Sequence, residues 1–177
     1  MNTHRQCGVV LVIALIALIV LALLAISAMN NAGLEERMAG DTREVNIAFQ
    51  AVEAGLRDGE ADVEASITPY VSFSSTCSGG LCSLPSVSVP RALSIDWNNA
   101  AVSRAYGSQT GATPLSNVAA QPRYIIELLP NLPPVLGQSV ALGIKPLGLG
   151  TAYRVTAIGY GGRADTQAVL QSVYVKR

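Results

Sequence analysis

The sequence predicts an α+β protein in which one long amino-terminal helix, apolar all round in its first half and amphipathic in its second, packs on a small antiparallel β-sheet. Three observations carry this. Residues 9–26 are 18 consecutive apolar residues, and no charge falls between Gly8 and Glu35. Leu34, Met38, Val45, Phe49, Val52 and Leu56 then follow at spacings of 4, 7, 4, 3 and 4 residues, tracking one helical face. Beyond residue 67 the pattern changes to short β-branched and aromatic runs bounded by glycine and proline, and all nine prolines lie at or after Pro69.

Composition narrows the function classes. The 177 residues carry 14% charged side chains against the ~25% usual in soluble domains. With a single histidine, His4, and three cysteines, the body of the chain lacks the ligands for a His/Cys zinc site and the base of a histidine triad. No cofactor is expected. The net charge of zero hides two regimes: residues 35–64 hold nine acids against three arginines, whereas eight bases and three acids follow residue 67.

Each element has its own signal. Residues 1–8 form a short basic leader with Arg5 and His4. The following apolar segment, residues 9–29, is long enough for the ~20 residues a helix needs to cross a bilayer core. The positive-inside rule places the leader in the cytoplasm and the remainder outside it. The core exceeds that of an ordinary secretory signal, and no A-x-A site closes it, so a retained single-pass anchor is expected. Residues 30–66 continue as an amphipathic helical stalk, with Gly33, Gly40, Gly55 and Gly59 as expected weak points. The helix must stop before Pro69.

The leader ending in Cys7-Gly8, the run Val9-Val10-Leu11-Val12-Ile13-Ala14-Leu15, and the stalk segments Leu34-Glu35-Glu36-Arg37-Met38-Ala39-Gly40 and Ala48-Phe49-Gln50-Ala51-Val52-Glu53-Ala54-Gly55-Leu56-Arg57 resemble type IV prepilins, and closely the PilX-type minor pilins of the type IV pilus. Pro122-Arg123-Tyr124-Ile125-Ile126-Glu127 and Val169-Leu170-Gln171-Ser172-Val173-Tyr174 are similar to that family's carboxyl-terminal strands. The resemblance implies a pilin-like fold, cleavage between Gly8 and Val9 by the prepilin peptidase, and methylation of the new Val9 amine. The mature chain would lose Arg5, His4 and Cys7. Major pilins resemble one another in a glutamate at the fifth mature position, and here Ile13 stands there. That departure disfavours a bulk filament subunit and resembles the minor pseudopilin thought to cap secretion-system pseudopili.

Residues 67–177 are expected to form an exported, β-rich globular domain. Candidate strands run over residues 70–73, 123–129, 153–160 and 167–176, with Gly161-Gly162-Arg163-Ala164-Asp165 as a hairpin loop and a loop-rich stretch over 75–121. Cys77 and Cys82 enclose Ser78-Gly79-Gly80-Leu81 and are expected to form a disulfide, a redox pair or half a metal site being the alternatives. Asp58, Glu60, Asp62 and Glu64 alternate, which reads as a solvated helix end rather than a calcium site. Gly-rich residues 143–150 read as a surface loop, since proline follows Lys145 where a phosphate loop needs Ser or Thr. Six tyrosines beside eight bases admit contact with a polyanion such as DNA, against the plainer reading of strand aromatics near scattered arginines.

The leading expectation is a non-enzymatic minor pilin that primes or caps pilus assembly and supports twitching motility, adhesion or DNA uptake. Its partners would be the prepilin peptidase, other minor pilins, the major pilin and the inner membrane, with host-surface contact a further possibility. A type II secretion minor pseudopilin and a pilus-borne adhesin or ligand-binding module are the alternatives. The chain would sit in the bacterial inner membrane with its carboxyl-terminal domain periplasmic, and afterwards in the pilus, at the tip.

Overall fold

A computed structural model describes residues 7–68, 70–84, 90–130 and 150–176. Leader residues 1–6 and nearly all of the glycine-rich stretch at 143–150 lie outside these. Helix α1 spans Cys7–Ser66 without a break. Five strands follow: β1 (Leu81–Cys82), β2 (Arg104–Ala105), β3 (Arg123–Leu128), β4 (Thr151–Tyr160) and β5 (Gln167–Lys176). The chain divides into two compact units, Met1–Arg43 and Glu44–Arg177.

In the second unit the sheet order is β1-β3-β4-β5, with β2 also pairing β3. β3, β4 and β5 form the expected antiparallel core, and β4 pairs β5 in register from Thr151 with Lys176 to Tyr160 with Gln167. The sheet is nonetheless mixed, because β1 lies parallel to β3 through Leu81 with Ile126 and Cys82 with Glu127. Residues 70–73 form no strand. Tyr70 sits in a turn, 96% exposed, where Val71 N–H donates to Thr68 O, and only Ser74 bridges to Cys82.

Helix residues 44–66 cover one face of the sheet. Val52, Val63, Tyr124, Ile126 and Val155 are fully buried between the two layers, each worth roughly 1.5–3 kcal/mol relative to exposure. The helix can approach closely because small residues meet at the crossing. A Cβ on Gly59 would stand 2.6 Å from Val155 Cγ1, and one on Gly159 would stand 2.3 Å from the Val52 nitrogen. Gly55 likewise abuts Pro122. Gly55 and Gly59, expected to weaken the helix, are contact points with the layer beneath it. Gly33 and Gly40 have nothing within 4 Å.

The other face of β3 and β4 is covered by the loop-rich stretch. Cys77, Cys82 and Ile125 form a second buried cluster there, with Ile95, Trp97 and Val102 packed against it. Covered on both sides, β4 is buried along nearly its whole length instead of alternating, whereas β5 alternates between half-buried and exposed residues.

Candidate functional site

The first candidate is the apolar segment of the unit Met1–Arg43. Gly8 lies within α1, followed by Val9, and both Val9 and Ile13 are 61% exposed. The large apolar side chains from Val9 to Met29 are exposed throughout. This helix is long and apolar enough to cross a membrane, with a mean hydropathy of 3.6 over its most apolar window. So much uncovered apolar surface has no stable place in water and requires lipid or neighbouring helices.

The second candidate lies where α1 meets the loop layer, and it overturns the expected solvated helix end. Asp58 and Asp62, one turn apart, are buried. The Asp58 carboxylate accepts the Gly107 N–H at 2.8 Å and the Thr110 hydroxyl. Asp62 pairs with the Arg104 guanidinium and accepts the Tyr124 hydroxyl at 3.0 Å. Burial, reinforced by the Asp62 charge, holds the Tyr124 phenol far above its usual range, so it stays a donor. Only Glu60 and Glu64 of the alternating acids face outward. The donors to Asp58 and Asp62 come from residues 104–124, which no helical spacing could announce; the one available signal is that Asp58 and Asp62 share a face with Gly55 and Gly59.

Arg104 extends this network to the disulfide, its Nε donating to Gly79 O at 2.7 Å. Cys77 and Cys82 are joined, with Cα atoms 4.1 Å apart. The loop between them turns through Gly79 and Gly80, whose positive φ of 62° and 77° glycine adopts without strain. Arg91 clamps its flanks, donating to Ser75 O at 2.7 Å and Ser83 O at 2.8 Å. Beneath Arg91 lies Glu127, fully buried. Its carboxylate stands 3.7 Å from Arg154 and 3.8 Å from Arg91, with no hydrogen-bond partner on either oxygen. Burial pushes the Glu127 carboxyl above the usual range, and Arg154 and then Arg91 oppose the shift.

At the far end of the helix, Lys176 of β5 supplies the carboxyl-terminal cap. Its ammonium donates to the carbonyls of Val63, Glu64 and Ile67 at 2.6–2.9 Å, satisfying groups that a helix end leaves unpaired. The tyrosines do not form a stacking surface: Tyr124, Tyr153 and Tyr160 are buried and belong to the sheet. A cleft of about 510 Å³ beside the helix is lined by Glu53, Arg57, Asp58, Tyr106 and Thr110 among others, and there the Thr110 hydroxyl is held by the Asp58 carboxylate that fastens the loop. Among the described residues, no three His, Cys, Asp or Glu side chains converge as metal ligands.

The family comparisons cover both units. A model for the carboxyl-terminal region of the type IV pilus assembly protein PilX matches residues 53–176. One for the PilX amino-terminal region matches residues 8–57. No curated protein and no solved structure matches the chain.

Proposed function

The chain belongs to the PilX family of type IV pilus assembly proteins, and from that premise we propose that it is a minor pilin, a non-enzymatic subunit that primes or caps the filament from its tip. Ile13 carries the reading. Cleavage between Gly8 and Val9 by the prepilin peptidase leaves a charged amine, methylated on Val9, at the start of an apolar helix. Inside a bundle of such helices, an amine with no carboxylate nearby costs several kcal/mol. Major pilins resemble one another in supplying that carboxylate at the fifth mature position, and Ile13 cannot.

At the end of a filament one neighbour is missing, and the demand for the carboxylate goes with it. The protein then enters the assembly in few copies, anchored in the inner membrane by residues 9–29 with its folded unit in the periplasm. It meets other minor pilins and the major pilin as the filament starts. Twitching, adhesion or DNA uptake would depend on it through the filament.

Immunogold labelling of pili together with deletion of the chain tests this. Sparse or terminal labelling with loss of pili on deletion is expected. Dense labelling along the shaft refutes the tip position, and normal pili with lost attachment would identify an adhesin instead. Lost secretion with intact pili would identify a secretion pseudopilin. Mass spectrometry of the mature chain should find methylated Val9 at its amino terminus, and Gly8→Val should block that processing.

A further inference from the structure

The cleft beside the helix has the dimensions of a small-molecule site. Its volume of about 510 Å³ falls within the ~300–1,000 Å³ of such sites. One wall is a stripe of α1 on which Gln50, Glu53, Ala54, Arg57 and Ala61 recur at helical spacing. The other is the loop that carries Tyr106, Thr110, Gly111 and Ala112. That loop is fastened from within the fold. Asp58 holds it through the Gly107 N–H and the Thr110 hydroxyl, Tyr106 N–H donates to Pro122 O at 2.8 Å, and Gly111 N–H donates to Gly107 O at 2.9 Å. Gly107 has a φ of 72°, and a Cβ there would stand 2.3 Å from Ala112 O, so the turn needs glycine. A wall fixed in this way loses little conformational entropy when a ligand binds.

The polar ends that reach the cleft are uncommitted. Glu53 and Arg57 stand one turn apart in the order that ordinarily pairs, yet among the described residues neither takes part in an ion pair. The Gln50 amide and the Tyr106 hydroxyl make no hydrogen bond within the described residues either. Asp58 differs, since both of its oxygens are occupied by the loop.

We propose that this cleft binds a free α-amino acid with an apolar side chain, its ammonium on Glu53 and its carboxylate on Arg57. Charge selects this class. A simple anion would have to sit beside Glu53 with Asp58 behind it, and a simple cation beside Arg57. A neutral sugar would take water from both charged groups and return no charge to either. A zwitterion answers both within one helical turn, with a charge-assisted hydrogen bond at each end. Ala54, Ala61, Ala112 and the Tyr106 ring offer apolar surface to its side chain. The site lies wholly within the unit Glu44–Arg177 and does not depend on the assembly reading above.

Titration of the full chain in detergent with L-leucine and with L-phenylalanine, followed by NMR at the Gly111 N–H and the Gln50 side-chain amide, tests this. Saturable shifts at both positions are expected. L-leucinamide keeps only the ammonium and N-acetyl-L-leucine only the carboxylate, and each should bind at least about tenfold more weakly than L-leucine. The same loss is expected for L-leucine on Glu53→Gln and on Arg57→Gln. Both side chains are exposed, so neither variant should move the melting temperature. No saturable shift with either amino acid overturns the proposal. So does equal affinity for L-leucinamide or N-acetyl-L-leucine, unchanged affinity in either variant, or saturation by galactose in place of the amino acids.

Discussion

Helix α1 is one element held in two different ways. Up to Arg43 it presents a ring of large apolar side chains and none of them is buried; its stability must come from surroundings the chain does not supply. From Glu44 onward the large apolar residues Val45 and Phe49 are again exposed, and the face toward the sheet is made of Ala48, Ala51, Val52, Gly55 and Gly59, with Asp58 and Asp62. The lesson is that hydrophobicity alone does not mark the packed face. In the first unit bulk is left for external partners, and in the second small residues admit the sheet while carboxylates fasten the loops.

The sharpest way to break that comparison is to exchange a glycine for a bulkier residue in each unit. At Gly159 any Cβ would meet helix backbone, the Val52 nitrogen at 2.3 Å and the Ala48 oxygen at 2.7 Å, and backbone cannot step aside as a side chain can. Gly159→Val should cost more than about 4 kcal/mol and abolish the cooperative melting transition followed by circular dichroism in detergent. Gly33→Ala, facing open space, should change stability by no more than about 1 kcal/mol. Equal effects at the two positions would dissolve the distinction between the halves.

Next in size is Asp62→Ala. It leaves the Arg104 guanidinium and the Tyr124 hydroxyl without their carboxylate in a buried site, at a cost of about 3–5 kcal/mol. Glu36→Ala, on the exposed face of the first unit, should stay within about 0.5 kcal/mol. Urea denaturation of the full chain measures both. A loss below about 1 kcal/mol for Asp62→Ala would mean the network does not fasten the loop layer.

Lys176→Met is smaller still. It removes three donated hydrogen bonds from the end of α1 while keeping the aliphatic stem, and should cost about 1–3 kcal/mol. Hydrogen exchange should quicken at the last turn of the helix more than near Val52. Uniform quickening would show that Lys176 supports the sheet as a whole and has no special part in the cap.

Much of this architecture was legible from residue patterns. The helix ends at Ser66 as the run before Pro69 requires, β5 occupies 167–176 as its alternation indicates, and β3 stops one residue short of expectation. β1 and β2 were invisible because two residues have no periodicity. Residues 70–73 have strand-forming side chains, but among the described residues they find no neighbouring strand to pair with beyond the single bridge at Ser74. The buried carboxylates were misread for a related reason. Asp62 and Glu64 look alike in the sequence, and what separates them is Arg104 and Tyr124, brought beneath Asp62 by folding.

Glu127 gives the smallest and most discriminating test, because it is the buried carboxylate that lacks what Asp58 and Asp62 have. Asp58 accepts a hydrogen bond on each oxygen and Asp62 accepts two on one oxygen, whereas Glu127 has two guanidinium groups beyond hydrogen-bond reach and no partner on either oxygen. Burial raises its carboxyl above the ordinary glutamate range, more than Arg154 and Arg91 lower it. The folded state therefore binds a proton more readily than the unfolded chain. Glu127's contribution to stability is complete below the ordinary glutamate range and is lost as pH rises through its raised value. Glu127→Gln removes that dependence, so the stability of the variant minus that of the native chain should increase as pH rises from about 4 toward 7. Denaturant titrations at intervals across that range measure the difference. If it decreased with pH instead, the ionised carboxylate would be the stabilising form, Arg91 and Arg154 would outweigh burial, and Glu127 would belong with Asp62 as an ion-paired anchor of the loop layer.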